Sequence, residues 1–149
     1  MKSTLLAVPF ETAKRYPERL SHKWRVKEKV EVRTYAQFAR SIRILAAGLA
    51  ANGVKRGDHV GFFVNNRYEW IGTDFALMAL GAVSIPRGSD TTAKEVAFIF
   101  RHSASTFLIV EHARQLPELE GSCDAPDWES CQGICAVATP SGGTVPTIL

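Results

Sequence analysis

The residues between Thr34 and Val110 alternate between helical and strand periodicity, and turn or capping residues lie at the junctions. The order predicted by this pattern is helix, strand, helix, strand, helix, strand. Strands and helices that alternate over such short distances are typical of right-handed βαβ units built on a parallel sheet. The sequence therefore predicts an α/β fold, namely a partial doubly wound parallel sheet of three main strands with helices on both faces.

The first predicted helix begins after Thr34. The Thr34 hydroxyl can accept a hydrogen bond from the first turn, and the Gln37 side chain can return one to the Thr34 N–H, which together form a capping box. Apolar side chains then recur at three- and four-residue intervals, at Tyr35, Phe38, Ile42, Leu45 and Leu49. This spacing places them on one face of a helix. Gly53 is expected to end the helix, because glycine adopts the left-handed conformation without a Cβ clash.

Short apolar runs of strand length alternate with two further helices. The strands are predicted at residues 59–64, 82–86 and 106–110. Asn66 is expected to cap the second helix, with Glu69 three residues later, and Gly81 is expected to end it. The third helix is predicted at residues 93–102, after two threonines that can cap it. The second and third helices therefore connect consecutive strands of the sheet.

Basic residues are concentrated in the first third of the chain, at Lys14, Arg15, Arg19, Lys23, Arg25, Lys27, Lys29 and Arg33. Nucleic acids and anionic membrane surfaces attract such a composition. Glutamates dilute the run, however, and the net charge of the whole chain is only +3. Alternation through Val26, Val30 and Val32 indicates an edge hairpin with a solvated face. We therefore expect no nucleic-acid partner, and binding to nucleic acid or anionic lipid is kept as an alternative.

Ligands of open parallel sheets bind beyond the carboxyl ends of the strands, where loops and helix N-termini converge. The loops predicted at these ends contain residues 65–67, 87–90 and 111–112. Arg87 and Gly88 are the candidate binding residues, because glycine lets a phosphate approach the backbone and arginine can bind an anion with its planar guanidinium group. The alternative is a turn glycine beside a solvated arginine.

No set of residues in the sequence predicts a catalytic or metal site. The four histidines lack the spacing that directs two imidazoles at one metal ion. The three cysteines have no histidine nearby and are odd in number, so free thiols are expected. Residues 141–144 superficially resemble a phosphate loop, but they lack the required lysine, and Pro146 stands where a helix should begin.

The composition changes from Gly121 onward. This segment contains no lysine or arginine, holds all three cysteines and is rich in small and turn-forming residues. No helical or strand period is evident in it. We therefore predict an α/β subdomain at residues 1–120 and an irregular tail at residues 121–149. Our hypothesis is that the tail is a translated frameshift or an unrelated terminus, disordered or loosely attached.

The first residues include only a brief apolar run, which Pro9 interrupts. Neither a signal peptide nor a membrane-spanning segment is expected from this pattern. The predicted location is the cytoplasm, with peripheral membrane contact.

Residues 10–115 resemble the N-terminal region of the AMP-forming acyl-CoA synthetases, members of the adenylate-forming superfamily. The resemblance lies in Thr34 and Tyr35 before an amphipathic helix and in three blocks: VKRGDHVGFFVNNRYEW at 54–70, ALGAVSIP at 79–86 and KEVAFIFRHSASTFLIVE at 94–111. Residues 86–92 look most like the long-chain fatty acid branch of the family.

The resemblance implies a reaction that joins a carboxylate to AMP, with ATP and magnesium, and then passes the acyl group to the thiol of coenzyme A. The family's phosphate loop, magnesium-binding glutamate and catalytic lysine belong downstream of the matching region, so no catalytic and no metal-binding residue is assigned in this chain. The resemblance also implies that the loop with Arg87 and Gly88 approaches the coenzyme A nucleotide, as in some short-chain members.

We therefore predict the N-terminal fragment of an AMP-forming long-chain fatty acid:CoA ligase. The fragment is expected to be inactive alone and to bind none of these cofactors tightly, because the fatty acid and the nucleotide would meet the missing remainder. Self-association through an exposed sheet edge is expected. The alternative is a stand-alone, non-catalytic module that binds a nucleotide, coenzyme A or a partner protein at the strand ends.

Overall fold

The computed structural model describes residues 4–115, 117, 119, 121, 130–138 and 147–148. The helices in this part of the chain include α1 (Ala7–Arg15), α2 (Tyr35–Ala51), α3 (Tyr68–Leu80) and α4 (Ala93–His102), and a short 3-10 helix spans Ala113–Gln115. The strands are β1 (Leu20–Val26), β2 (Lys29–Thr34), β3 (His59–Phe63), β4 (Val83–Arg87), β5 (Phe107–His112), β6 (Gly133–Ala138) and β7 (Thr147–Ile148).

Five of the strands form one sheet in the order β4-β3-β5-β6-β7. Strands β4, β3, β5 and β6 are parallel, and β7 pairs antiparallel with β6. Strands β1 and β2 form a separate antiparallel hairpin, as the valine alternation predicted. The α/β fold with a parallel sheet is therefore confirmed.

The parallel sheet is covered on both faces, which explains why its strands are continuous apolar runs. On one face, Leu49 of α2 and Leu77 of α3 pack against Val60 and Phe62 of β3. On the other face, Phe100 of α4 packs with Phe63 and its neighbours. The side chains of β3 thus alternate between two cores, and both are buried. The prediction of helices on both faces is confirmed.

Capping chemistry fixes the start of two helices. The Thr34 hydroxyl accepts from the Gln37 N–H at 3.3 Å, and the Gln37 Oε1 accepts from the Thr34 N–H at 2.9 Å. Thr92 and Glu95 form a second capping box before α4, whose bounds match the prediction. The predicted cap of α3 is wrong: Arg67, not Asn66, is its N-cap residue, and no side chain caps it.

Helix α1 and strands β6 and β7 were not predicted. Helix α1 includes Pro9 in its first turn, where the missing N–H of proline has no intrahelical acceptor. Strands β6 and β7 lie inside the segment predicted to be irregular, and that prediction is wrong for Gly133–Ala138 and Thr147–Ile148. Strand β5 supplies the backbone partners of β6, with Leu108 opposite Ile134. The neighbouring strand edge, rather than a local period, therefore makes this segment a strand.

The rest of the predicted tail largely lies outside the described residues, including Cys123 and residues 141–146. The boundary at residue 120 and the frameshift hypothesis stay predictions. Cys131 and Cys135 are free thiols. Burial raises the pKa of the Cys135 thiol to about 11, so this thiol is protonated at neutral pH. Among the described residues, no helix has both the length and the apolar character that a membrane crossing requires.

Candidate functional site

The loops that follow β3, β4 and β5 meet at one edge of the sheet, as the parallel topology predicted. The Asn65 N–H donates to the Glu111 Oε2 at 2.8 Å, which joins the loop after β3 to the end of β5. Arg87 and residues 111–112, which were predicted to lie in loops, are the last residues of β4 and β5. The Ser89 N–H donates to the Asn65 Oδ1 at 3.4 Å, and the Gln115 Nε2 donates to the Ser89 carbonyl at 3.3 Å. Hydrogen bonds therefore link all three loops.

A partly buried ion pair holds this edge together. The Arg67 Nη1 lies 2.7 Å from the Glu111 Oε1, and the Arg67 Nε lies 2.7 Å from the Glu69 Oε2. Glu111 is buried, and its second oxygen accepts from the Asn65 N–H. Burial by itself lowers the pKa of Arg67, but hydrogen bonds and charge from Glu69 and Glu111 outweigh it and raise the pKa. The pair compensates a carboxylate that would be costly to bury alone.

An open cleft of about 430 Å³ lies beside this ion pair, between the ends of β3 and β4. Its lining residues are Val64, Asn65, Asn66, Trp70, Pro86, Arg87 and Gly88. The half-buried Trp70 ring is stacked on Phe62, with 5.7 Å between the ring centroids. The cleft therefore has an apolar side formed by α3 and a polar side formed by the two loops.

Arg87 and Gly88 line this cleft and also an adjacent depression that reaches Phe98 and Ile99 of α4. Arg87 is exposed, and its guanidinium group forms no ion pair with any described residue. Hydrogen bonds from Thr92 and, more weakly, the charge of Arg87 lower the pKa of Glu95. The structure therefore places Arg87 where a ligand at the strand ends can reach it.

The surroundings of Gly88 are less favourable for an anion. A Cβ atom at position 88 would overlap the Asp90 carboxylate, so this carboxylate lies directly against the glycine. A phosphate that approached the Gly88 backbone would have to displace the Asp90 side chain, which is exposed and can rotate. Of the two predicted binding residues, Arg87 thus fits a nucleotide phosphate better than Gly88 does.

The sequence did not predict the pairing of Arg67 with Glu111 or the role of Gln115. The Gln115 Oε1 accepts from the His112 N–H at 2.9 Å, so one side chain joins the end of β5 to the loop after β4. Arg67 and Glu111 are 44 positions apart, and no local motif relates them. Their contact could have been predicted from the sequence only if β3 and β5 had been known to be neighbouring parallel strands.

No group of three or more histidine, cysteine, aspartate or glutamate side chains converges in the described ranges. These residues therefore do not fit a magnesium ion by themselves. The carboxylates of Glu69 and Glu111 both form ion pairs with Arg67.

A parallel sheet covered by helices on both faces, with a cleft beyond the carboxyl ends of its strands, defines an α/β protein of the ligand-binding type. Residues 9–141 match the family described as AMP-binding enzyme. The chain belongs to this family, which confirms the resemblance to adenylate-forming enzymes.

The curated relatives include proteins that are named as long-chain fatty acid ligases. FadD15 of Mycobacterium tuberculosis, a long-chain-fatty-acid–CoA ligase, is 40% identical over 95 residues, which are 62% of this chain and 16% of that protein. AEE15 of Arabidopsis thaliana, a chloroplastic long-chain-fatty-acid–[acyl-carrier-protein] ligase, is 37% identical over 79 residues, 53% of this chain and 11% of that protein. The matched regions thus span a small part of either relative's length.

A solved structure shows the same fold. The long-chain-fatty-acid–CoA ligase FadD1 of Archaeoglobus fulgidus superposes with a TM-score of 0.78 and 20% identity, over 97% of this chain and 29% of that one. At this identity the likeness shows the fold alone.

Proposed function

We propose that this chain is the N-terminal part of an ATP-dependent, AMP-forming long-chain fatty acid:CoA ligase. The observation that supports this most directly is the 40% identity with a mycobacterial long-chain ligase. The plant relative, which is named for the same class of acyl substrate but for an acyl carrier protein as acceptor, supports the acyl half of this proposal.

We propose further that the fragment does not catalyse alone. Adenylation requires groups that orient ATP and stabilise the charge that develops on its phosphates. Among the described residues, Arg87 is the unpaired cation at the strand-end cleft, and no cluster of acidic side chains can hold magnesium beside it. ATP, magnesium and coenzyme A are accordingly assigned to the complete enzyme, and the fatty acid to its remaining parts.

The test begins with the coding DNA. Translation of all three frames from codon 115 is expected to reveal, in one frame, a Ser/Thr/Gly-rich loop that ends in a lysine. The restored protein is then assayed for AMP release with carboxylates of two to eighteen carbons. We expect AMP release to require a long-chain acid. Turnover with short or aromatic acids alone would contradict the substrate, and acyl-CoA formation by the 149-residue chain would contradict its inactivity.

A second candidate is a non-catalytic module that binds coenzyme A or a nucleotide at the strand ends. The exposed, unpaired Arg87 favours it. Calorimetry of the 149-residue chain with coenzyme A tests this candidate, with Arg87→Ala as the variant and Arg40→Ala, an exposed arginine of α2, as the matched control. Saturable binding that only Arg87→Ala weakens supports it. Absence of binding at about millimolar ligand, the weak end of specific affinities, excludes it.

We also propose self-association through β4. This strand lies at the edge of the sheet, and its outer side has no partner strand among the described residues. Val83 is exposed there, whereas Pro86 removes one N–H and so shortens the edge that another chain can pair with. Sedimentation velocity of wild type and Val83→Lys tests this, and a wild-type monomer at all concentrations would exclude it.

We also propose that the protein is located in the cytoplasm, and cell fractionation tests this location.

A further inference from the structure

The β1–β2 hairpin has two chemically different faces. Residues directly opposite each other on antiparallel strands share one face. His22 lies opposite Arg33, and Trp24 lies opposite Glu31. On the other face, which we call the outer face, Lys23 lies opposite Val32 and Arg25 lies opposite Val30.

The aromatic side chains of the inner face pack against the body of the protein. The Trp24 ring is stacked on Tyr68 of α3, with ring centroids 4.6 Å apart and planes 5° from parallel. The His22 ring lies 4.4 Å from that of Phe38 of α2. The Arg33 guanidinium group lies over the Trp24 ring at 5.2 Å and contacts Glu31. The aromatic groups of the hairpin are therefore committed to the body of the protein.

The outer face is exposed, apolar and cationic at once. Val30 and Val32 are 49% and 46% exposed. Lys23 and Arg25 are exposed beside them, and the turn between the strands adds the exposed Lys27 and Glu28. Within the described part of the chain, Lys23, Arg25 and Lys27 form no ion pair. The acidic residue of β2, Glu31, pairs with Arg33 on the inner face.

Two occupants are compatible with such charge, and the structure favours one. Single-stranded nucleic acid binds to basic grooves that also expose aromatic rings for base stacking. Here Trp24 and Tyr68 are stacked on each other and unavailable. Valines between unpaired lysines and arginines instead match a bilayer interface, where apolar side chains enter the acyl boundary and cations meet anionic headgroups.

We propose that the outer face of the β1–β2 hairpin binds the surface of an anionic lipid bilayer. Lys23, Arg25 and Lys27 meet the headgroups, and Val30 and Val32 insert between them. This inference stands on the hairpin alone and does not depend on the proposed ligase activity.

The experiment measures the binding of the 149-residue chain to two kinds of vesicle. One is pure phosphatidylcholine, and the other contains about 30% phosphatidylserine as the anionic lipid. We expect saturable binding only to the anionic vesicles, weakened by salt. The variant K23A/R25A should bind about 25-fold more weakly, since each cation near the surface contributes about fivefold. The control K55A/K94A removes the same charge from exposed positions outside the hairpin and should bind as the wild type does.

A second variant separates insertion from simple charge attraction. V30S/V32S keeps every cation, so we expect it to lose the binding that persists at high salt and to retain the salt-sensitive part. Circular dichroism of each variant checks that the fold is intact. No vesicle binding by the wild type, or equal loss in K55A/K94A, would overturn the proposal. So would tighter binding to single-stranded DNA than to vesicles at equal salt, or an outer face that proves to join two copies of the chain.

Discussion

The parallel sheet and the β1–β2 hairpin are both β structure, but they are held in place differently. Strand β3 is buried on both sides, with Val60, Phe62 and Phe63 at most 1% exposed. The hairpin packs one face against α2 and α3, and its other face shows Val30 and Val32 to solvent. The two elements therefore differ in how much apolar area each substitution can remove from the core.

This difference teaches why the candidate site is at the sheet and not at the hairpin. A binding site needs side chains held by rigid neighbours. The strand-end loops are anchored by β3 and β5 and linked by the Arg67–Glu111 pair, whereas the hairpin adds a surface whose outer side chains have no described contacts to position them. We expect substitutions to divide along the same line, as the following predictions state in order of decreasing effect.

The largest loss of stability is expected for Phe62→Ala. Phe62 is fully buried, packs in the core beneath α2 and α3 and is stacked on Trp70. Truncation should reduce the free energy of unfolding by about 4 kcal/mol, from lost burial and the cavity left behind. Val30→Ala on the hairpin is the control and should change it by no more than about 0.5 kcal/mol. Urea denaturation measures both free energies of unfolding. Similar losses would contradict the view that the sheet contributes more to stability than the hairpin does.

Arg67→Ala is expected to have the next largest effect. It leaves the buried Glu111 carboxylate without its cation, and we expect a loss of about 2 kcal/mol, below the range for fully buried pairs because Arg67 is partly exposed. The matched control is Glu31→Gln, which breaks the half-exposed ion pair with Arg33 in the hairpin but keeps the contact of Arg33 with Trp24, and it should cost about 0.5 kcal/mol. Both are measured by urea denaturation at low salt. An equal cost would contradict the special role of the sheet edge.

The elements that local chemistry determines could be predicted from the sequence. Thr34 with Gln37 and Gly81 at the end of α3 involve residues within a few positions of each other, and their geometry is as expected. The convergence of the loops at residues 65, 89 and 111 followed from the parallel order of the strands. Sequence reasoning could therefore find the edge at which the site lies.

The remainder depends on tertiary contacts. Asparagine is a favourable N-cap residue, but the N-cap of α3 is Arg67 and not Asn66. The Arg67 side chain is bound to Glu69 and Glu111. Residues 133–138 have no alternation because β6 joins a sheet whose strand β5 is fully buried. The Asp90 carboxylate over Gly88 is likewise a matter of side-chain position. None of these features has a sequence pattern of its own.

Two residues with positive φ angles, one after helix α2 and one in the hairpin turn, allow a test with a smaller expected effect. Gly53 follows α2 with a φ of +94°, and Lys27 in the hairpin turn has a φ of +54°. Gly53→Ala should cost about 1 kcal/mol, because a Cβ is disfavoured in this conformation. The added methyl group would lie 3.6 Å from the Phe107 ring, which is an ordinary contact, so strain and not overlap is the cause. Lys27→Gly should leave stability within about 0.5 kcal/mol, since relief of strain offsets the flexibility of glycine. A stable Gly53→Ala protein in thermal denaturation would contradict this.

The smallest predicted effect concerns pH and the inner face of the hairpin. Burial against Phe38 and Tyr68 lowers the pKa of His22 below its ordinary value of 6.5. The unfolded chain therefore binds a proton at His22 more readily than the folded one, and stability falls as the pH drops through 6.5 toward the folded pKa. We expect the urea midpoint of the wild type to fall between pH 7.5 and pH 5, and His22→Phe, which keeps a packed ring without a proton, to reduce that fall. His102→Gln at the exposed end of α4 is the control and should retain it. If His22→Phe and the wild type lost stability in parallel, the hairpin would not be docked through a neutral histidine, and its packing on α2 and α3 would have to rest on Trp24 and Tyr68 alone.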